Sequence, residues 1–378
     1  MRRSLFLIFI SIIGIEVEAQ SAAGNDSIKS FPEKVIGLCE DILHVLTIER
    51  TEWESAIYPA ASYSGRTGLS IGLMPMIRIK HTERPWTTIT PSVLVSSKGM
   101  FELQCDADIY PSSQSSITAK AEFYYLPDDY YLPGNGRDKS SEAKMNDYQS
   151  QFSCDFYTYV CNSNWQLGFT SDFSHHNYKD VEGSTMALDD IKYAEGWNNG
   201  LGPLIAYDNR DDKLYPRSGW LLKIKYLQYG KWLGGKHNFG NYITDIRRYM
   251  AVGNESVVAL QYYLQLTSNN APFHHKSTFA GTRLARAISH NLKYVDRAAW
   301  LLQGEFRFPI IWRIGGVAWA ATGNVAHTTD KILYDTHIMA GGGLRFKVFP
   351  KQGLNLRLDG GYSSRGEGAI YFNIREAF

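Results

Sequence analysis

The chain is poor in the features by which many enzymes and helical membrane proteins are recognised. Beyond the first 19 residues it has no apolar run of 18 or more, which excludes a transmembrane helix. Its Lys and Arg number 39 against 38 Asp and Glu, so no basic field suits a nucleic acid. The metalloprotease motif HExxH is absent. We therefore expect no metal, no cofactor, no enzymatic activity and no nucleic-acid partner.

Cysteine is also scarce, and the four thiols show no CxxC spacing. They are Cys39, Cys105, Cys154 and Cys161. Four cysteines allow three pairings, and spacing alone does not choose among them. Aromatic residues, by contrast, are abundant, with 24 Tyr, 18 Phe and 9 Trp. Tyr and Trp suit a surface that is apolar on one side and wet on the other.

The N-terminus reads as a secretory signal. Arg2 and Arg3 precede an apolar core from Leu5 to Ile15, and small residues around Ala19 fit a signal-peptidase site. Eleven residues cross only about half a bilayer at ~1.5 Å each, which argues against a membrane anchor. We predict an exported protein with a signal peptide at residues 1–19.

Residues 20–52 form a leader that is too short for an independent domain. Within it, FPEKVIGLCEDILHVL spaces its apolar residues as a helix does. The segment is interpreted either as one short amphipathic helix or as a disordered periplasmic leader.

From about Trp53 onward the sequence alternates with period two. In MFELQCDADIY, Phe101, Leu103 and Cys105 alternate with polar residues such as Glu102 and Gln104. Successive side chains of a strand point to opposite faces, so each strand has one apolar and one polar face. Runs of 9 to 12 residues match a tilted bilayer crossing better than an average soluble strand.

Sixteen such strands are predicted, in one all-β domain over residues 53–378. They begin near Glu54, Thr67, Thr88, Met100, Ile117, Ser150, Trp165, Gly200, Gly219, Tyr242, Ser256, Ala298, Gly315, His337, Leu354 and Gly368. Tight connectors alternate with long ones such as 127–148, 175–199 and 268–297. This pattern predicts a 16-stranded antiparallel transmembrane β-barrel with a short N-terminal periplasmic segment.

The stretch YDNRDDKLYPRSGW, from Tyr207 to Trp220, narrows the family. Its acidic spacing fails the calcium-loop template, because Arg210 and Lys213 occupy positions that need a ligand and a glycine. It resembles the pattern Y-D-x-R-D-x-x-x-x-P-x-x-G-W of the Omp85 (BamA/TamA) superfamily. The resemblance implies a turn at the periplasmic rim, built on Asp208, Arg210, Asp211, Pro216 and Gly219.

A second stretch, FAGTRLARAISHNLKYVDRAAWLLQGEFRFP, resembles the sixth extracellular loop of this superfamily and the strand that follows. Arg286 then occupies the arginine position of the R-G-F/Y tripeptide. The resemblance implies that Arg286 pairs inside the barrel with Glu305, next to Arg307. The family has a further lumenal Asp where this chain has Ala321, so the second carboxylate of the pairing is expected to be missing.

The ends of the barrel predict a weak closing seam. Pro59 in the first strand removes one main-chain donor, and Gly366 and Gly368 add flexibility before the last strand. The alternating strand AIYFNIREAF ends on Phe378, which resembles the assembly signal of outer-membrane barrels. Any closed barrel could also tolerate these residues without a functional seam.

The resemblance covers residues 53–378 and is closest to short members without POTRA domains, as in Bacteroidota. It implies a non-enzymatic barrel in the outer membrane of a Gram-negative bacterium that aids insertion or translocation of proteins. Implied partners are outer-membrane lipid, including lipopolysaccharide, and other outer-membrane or periplasmic proteins. The alternative is a passive pore for small solutes, whose lumenal charges set selectivity. A hydrolase assembled from loop histidines, such as His175, His176, His274, His275 and His290, is the remaining and least supported alternative.

Overall fold

The computed structural model describes residues 47–64, 66–136, 142–161, 163–213, 215–281, 283–288, 290–311, 313–349, 354–374 and 376–378. The predicted signal peptide and the predicted leader helix lie outside these residues.

The described residues form seventeen strands and one α-helix. The strands are β1 (Thr47–Glu49), β2 (Trp53–Ser64), β3 (Gly68–Ile79), β4 (Thr87–Ser96), β5 (Phe101–Ser112), β6 (Ser115–Tyr130), β7 (Ala143–Tyr159), β8 (Trp165–Gly183), β9 (Gly196–Asp208), β10 (Gly219–Tyr229), β11 (Phe239–Val252), β12 (Ser256–Thr267), β13 (Ala298–Ile311), β14 (Ile314–Ala326), β15 (His337–Phe349), β16 (Leu354–Ser363) and β17 (Gly368–Ile374). The helix, α1, spans Thr185–Ala194, and 3-10 turns span Lys231–Leu233, Phe273–His275, Asn291–Lys293 and Thr329–Lys331.

Strands β2 to β17 close into an antiparallel barrel. Each pairs with its neighbour along the chain, and β17 returns to pair with β2. The predicted barrel of sixteen strands is therefore confirmed within the described residues. The additional strand β1, which the sequence pattern did not predict, pairs with the first residues of β2.

Most strands begin within two residues of the predicted positions, and the largest error is in β7. It begins at Ala143, seven residues before the predicted Ser150. Residues Lys144 to Gln149 are polar on both faces except for Met145 and Tyr148, so period-two alternation does not report this end of the strand. The longest strands, β6, β7 and β8, consequently shorten the long connectors expected on either side of them.

The burial pattern of the barrel is the reverse of that in a soluble protein. On the outward face of β3, Leu69, Ile71 and Leu73 are each more than half exposed. On the inward faces, Gln261 and Gln303 are buried, and the Gln303 amide donates to Gln261 Oε1 at 2.6 Å. Such an apolar exterior and polar interior are what a barrel in lipid requires.

The connectors divide between two rims of the barrel. The short-turn rim carries the connectors 80–86, 113–114, 160–164, 209–218 and 253–255. The opposite, long-loop rim carries the longest connectors, 131–142, 184–195, 230–238, 268–297 and 327–336. Among the described residues, no helix combines the length and the hydropathy needed to cross a bilayer.

Helix α1 covers part of the long-loop rim. Ser184 caps it by accepting from the Ala187 amide, as expected for a serine at this position. Its buried residues Ala187 and Ile191 pack against Tyr130 from β6 and Phe273 from the connector 268–297. The helix and that connector therefore belong to one apolar cluster at this end of the lumen.

Candidate functional site

The connector 268–297, here called the lumen loop, folds into the barrel. Phe279, Ala285 and Ile288 are almost completely buried, in a cluster with Trp319 from β14. The Gln303 amide on β13 donates to the Arg283 carbonyl at 3.0 Å. The loop is thus packed against the inner wall formed by β13 to β16.

Arg286 at the tip of this loop is fully buried and bound by two carboxylates. Its Nη2 lies 2.9 Å from Glu305 Oε2 on β13, and its Nη1 lies 3.2 Å from Asp359 Oδ2 on β16. The guanidinium carbon lies 4.5 Å from the ring centroid of Trp319, a cation–π arrangement. The structure therefore brings the predicted Arg286 and Glu305 together.

The expectation of a missing second carboxylate was wrong. Ala321 lies on β14, but Asp359 contacts the arginine from another strand, β16. In the run LNLRLDGGY, Asp359 alternates with Leu356 and Leu358, which places it on the polar face of β16. Sequence could not show that this face lies within reach of the loop, because the position of the docked loop depends on contacts between segments that are distant in the chain.

Six side chains form a closed ring of ion pairs around this contact. Glu305 Oε1 accepts from Arg307 Nε at 2.6 Å, and Arg345 Nη1 donates to Asp359 Oδ1 at 2.7 Å. Glu376, after β17, closes the ring, with its Oε2 2.7 Å from Arg345 Nε and 3.9 Å from Arg307 Nε. All six are at least nine-tenths buried. Alternating charges compensate one another, which a buried ionic cluster requires.

Glycines in β15 and β16 make the wall flat beneath this ring. Gly341 and Gly361 are paired across the two strands. A Cβ at either position would lie within 2.5 Å of Trp319 Cζ2. The indole can therefore lie flat against the wall and support the Arg286 guanidinium only because these residues lack side chains.

The predicted rim turn, residues 209–218, is a compact structure at the short-turn rim. Arg210 forms a bidentate pair with Asp208, with Nε–Oδ1 and Nη2–Oδ2 distances of 2.8 and 2.9 Å. Asp211 Oδ1 accepts from the backbone amides of Arg217 and Ser218 at 2.9 and 3.1 Å. Burial alone would raise the pKa of Asp211, but these amide donors outweigh it and lower the pKa.

The rim turn also reaches the ion-pair ring. Arg307 Nη1 donates to the Pro216 carbonyl at 3.4 Å, and its guanidinium carbon lies 5.5 Å from the Tyr215 ring centroid. Its Nη2 donates to the Phe378 carbonyl at 2.8 Å. Arg307 thus joins three segments: the rim turn, strand β13 and residues 376–378, here called the tail.

Replacing Gly219 by alanine is expected to destabilise the rim turn. Gly219 has φ +106°, and a Cβ there would lie 2.5 Å from the Asn209 carbonyl oxygen. A residue forced into this region costs about 1–3 kcal/mol, to which the steric clash adds. Gly253→Ala is the matched control, since φ there is +60° and the added Cβ meets no atom within 4 Å. Urea unfolding of the barrel in detergent measures both, and equal midpoints would contradict the prediction.

The four residues predicted at the seam do not all lie there. Pro59 lies within β2, Gly366 lies in the β16–β17 turn with φ +82°, and Gly368 begins β17. Phe378 lies elsewhere, buried against Tyr249 on the inner wall. The expectation that Phe378 closes the last strand was wrong, because the chain turns into the lumen after β17, where Arg307 and an apolar pocket hold the tail.

The Omp85 superfamily domain model matches residues 110–364, which is more than half of the chain and includes the rim turn and the lumen loop. The chain belongs to the Omp85 superfamily. No curated protein sequence matches this Omp85 chain.

Solved structures show the same fold. The Omp85 chain is similar to BamA from Haemophilus ducreyi lacking POTRA domains 1–3, with a TM-score of 0.53 and 12% identity over 84% of this chain and 69% of that one. CdiB from Acinetobacter baumannii gives 0.56 and 10%, covering 87% and 60%, and CdiB from Escherichia coli gives 0.58 and 9%, covering 87% and 63%. The chain therefore spans less than two thirds of the length of either CdiB. The described residues contain no POTRA domain before the barrel.

Histidines of the Omp85 barrel pack against one another where the lumen loop meets β8. The rings of His176 and His274 stack with centroids 3.7 Å apart. His274 Nδ1 bonds the Tyr178 hydroxyl at 3.0 Å, and His275 Nε2 bonds the Ser174 hydroxyl at 2.9 Å. His274 and His275 therefore belong to the docked part of the lumen loop.

These histidines do not complete a hydrolase triad within the described part of the chain. No carboxylate there bonds His275, which contacts Ser174. The sequence does contain one GxSxG match, from Gly68 to Gly72, but Ser70 lies inside β3 and not at a strand-to-helix turn. No group of three described His, Cys, Asp or Glu side chains could hold a metal ion. The absence of catalysis stays a prediction.

Acid is expected to loosen the lumen loop of this Omp85 barrel. Burial first, and the neighbouring His176 second, hold the pKa of His275 at about 3 and that of His274 well below the usual 6.5. An undocked loop takes up these protons near pH 6.5, whereas the docked loop does not. Docking is therefore strongest above pH 6.5 and weakens toward pH 3, by up to about 1.4 kcal/mol per pH unit for each histidine.

A nitroxide label measures this effect directly. It is placed at Arg283→Cys, an exposed loop position, in a variant whose native cysteines are replaced by serine. We expect the label to become more mobile between pH 7.5 and pH 5. The same label with His274→Gln and His275→Gln should respond less to pH. An equal response in both proteins would assign the effect to other groups.

Proposed function

We propose that this Omp85 barrel lies in the outer membrane of a Gram-negative bacterium and aids the insertion or translocation of proteins. The observation that supports this proposal is the weak pairing at the seam, where the last strand meets the first strand of the barrel. Strands β17 and β2 share one residue pair, Ile370 with Tyr63, among the described residues. By contrast, β2 pairs with β3 through twelve residues, from Trp53–Ile79 to Ser64–Gly68. The barrel would open sideways at the seam before it opens anywhere else.

The pairing of β17 with β2 is much weaker than the pairing of β2 with β3. Each main-chain hydrogen bond contributes about 0.5–1.5 kcal/mol in water, and unsatisfied backbone groups cost several kcal/mol in lipid. A ladder of one pair is therefore far weaker than a ladder of twelve. An open edge of β2 would satisfy its backbone groups by pairing with a strand of a client protein.

The exterior supports a membrane location. Trp165 and Trp220, at the short-turn rim, are about 45% exposed, and Trp197 near the long-loop rim is about half exposed. Aromatic side chains at both ends of an apolar band are typical of membrane barrels, whose rings lie at the lipid headgroups. The band would contact outer-membrane lipid, including lipopolysaccharide at the long-loop rim.

The lumen loop is placed to sense the seam. The Tyr371 hydroxyl on β17 donates to the Ile288 carbonyl at 2.9 Å, two residues from Arg286. Movement of β17 away from β2 would therefore pull on the loop and the ion-pair ring. We propose that Arg286, Glu305 and Arg307 latch the loop, and that the rim turn, on Asp208, Arg210, Asp211, Pro216 and Gly219, supports the latch from below.

Omp85 family members work with other outer-membrane or periplasmic proteins. We propose that this barrel also works within a complex whose other members deliver the client. Purification from its own membrane should then yield stoichiometric partners. Recovery of the barrel alone in mild detergent would argue against such a complex.

Reconstitution with a disulfide across the seam tests the function. In a cysteine-free background, Tyr63→Cys with Ile370→Cys joins two outward residues that face each other. We expect the barrel in proteoliposomes to accelerate folding of an unfolded outer-membrane protein, and oxidation to abolish the acceleration reversibly. Val258→Cys with Phe306→Cys, a paired position on β12 and β13, is the matched control. No acceleration by the wild-type protein, or full activity of the oxidised seam variant, would contradict the proposal.

A passive pore is the second candidate, because the lumen is not completely filled. A cavity of about 800 Å³ lies between the lumen loop and the wall of β2 to β8, lined by charged groups including Glu102, Asp106 and Lys120. Planar-bilayer recording separates the candidates. A steady ohmic conductance of the wild-type barrel favours the pore. If the wild-type barrel conducts no current and conductance appears only when the lumen loop is released, the result favours the protein-insertion function.

A further inference from the structure

Strand β1 occupies part of the same edge of β2 that forms the seam. Ile48 is opposite Ser55, and Glu49 is opposite Glu54. A tight turn joins the two strands, with the Arg50 amide donating to the Trp53 carbonyl at 2.8 Å. One edge of β2 pairs with β3, so β1 and β17 must share the other.

The register of the seam shows what β1 replaces. If the antiparallel pairing of β17 with β2 continued in the register of Ile370–Tyr63, Ala377 would lie opposite Ala56. In the structure, Thr47 of β1 is opposite Ala56 instead. The directions of the side chains agree with this register. Ala56 and Tyr371 both face the lumen, and a strand continued from β17 would point Ala377 to the same side as Tyr371. Strand β1 and the C-terminal residues would therefore pair with the same position on the same edge of β2, and they cannot do so at the same time.

The tail is held away from this edge by the ion-pair ring. Glu376 binds Arg345 at 2.7 Å, and the Phe378 carbonyl accepts from Arg307 at 2.8 Å. Ala377 and Phe378 are both at least 95% buried, in a cluster with Tyr249. The contacts that keep the tail in the lumen thus leave the edge of β2 open to β1.

We propose that the edge Glu54–Ile57 is a strand-binding site that takes either of two segments of this chain. Residues 47–49 pair with 54–56, residues 376–378 would pair with 55–57, and the two segments compete for Ser55 and Ala56. With the tail in the lumen, β1 covers the edge and the seam stays short. With the tail on the edge, β17 extends its ladder along β2, β1 is displaced and the ring loses Glu376. The exchange links seam length to the ring that also holds Arg286 of the lumen loop.

Two engineered disulfides report the two states in a background where the four native cysteines are serine. Ile48→Cys with Ser55→Cys traps β1 on the edge, and Ala56→Cys with Ala377→Cys traps the tail there. In membranes oxidised under identical conditions, we expect a high yield of the first disulfide and a low yield of the second. Retarded migration on heating in detergent gels verifies that each variant is a folded barrel.

Two substitutions should shift the exchange toward the tail. Ile48→Pro removes a main-chain donor from β1, and its control Ile48→Ala keeps the donor at an exposed position. Glu376→Gln weakens the hold of the ring on the tail. Each is expected to raise the yield of the Ala56–Ala377 disulfide about fivefold or more, the effect of losing one hydrogen bond, whereas Ile48→Ala should leave it unchanged.

Three outcomes would overturn the proposal. The first is an Ala56–Ala377 disulfide that stays at background in both the Ile48→Pro and the Glu376→Gln proteins. The second is the formation of both disulfides in one molecule of the protein carrying all four cysteines, detected by mass spectrometry, since the segments would then not exclude each other. The third is failure of the Ile48–Ser55 disulfide to form in the folded barrel.

Discussion

Replacing Arg286 by alanine is expected to release the lumen loop. The guanidinium binds Glu305 and Asp359 and stacks on Trp319, all in a buried environment. Removing one partner from a buried ionic cluster costs about 3–5 kcal/mol, because the remaining charges lose their compensation. Glu305 and Asp359 keep Arg307 and Arg345, so the cost should fall on loop docking more than on the barrel wall.

Limited proteolysis with thermolysin measures this release. Cleavage within residues 268–297 should accelerate about 10²-fold or more in the Arg286→Ala protein if docking weakens by ~3 kcal/mol. Arg283→Ala is the matched control, since it removes the same charge from an exposed position of the same loop. Arg286→Lys should lie between the two, because one ammonium cannot reproduce the bidentate reach and the stacking of a guanidinium. Equal cleavage of the two alanine variants would show that docking does not depend on the Arg286 pairs.

Replacing Arg307 by alanine is expected to free the rim turn and the tail together. Arg307 donates to the Pro216 carbonyl, to the Phe378 carbonyl and to Glu305. The loss of these bonds from a fully buried site should cost about 3–5 kcal/mol in total. Because the two segments share this one donor, they should lose protection in the same variant although they are far apart in sequence.

Hydrogen exchange followed by mass spectrometry distinguishes this joint release from a general loss of stability. Peptides covering 209–218 and 376–378 should exchange faster in the Arg307→Ala protein, while peptides from β6 and β7 stay protected. Arg217→Ala is the control, since its guanidinium donates to the Asn254 carbonyl at the rim and does not touch the ring. Faster exchange of the rim turn without the tail would show that Arg307 does not couple them.

The barrel architecture of this protein could be predicted from local sequence patterns. Period-two alternation is a local property of each strand. The opposite directions of the Leu103 and Gln104 side chains can therefore be predicted without knowing which strand pairs with them. The lengths of the connectors then predict two unlike rims, and the motif from Tyr207 to Trp220 specifies the family. Where both faces are polar, as at the start of β7, the alternation did not report the strand.

The filling of the lumen and the closure of the barrel could not be predicted from these local patterns. Parity placed Asp359 and Arg345 on an inward face, but an inward direction does not specify a partner across the lumen. The ion-pair ring exists because the loop brings Arg286 and the tail brings Glu376 to one point. Likewise, Phe378 ends an alternating run, yet Arg307 and the pocket at Tyr249 hold it inside the barrel. Contacts between segments distant in sequence depend on three-dimensional closure, which the local pattern of a strand does not encode.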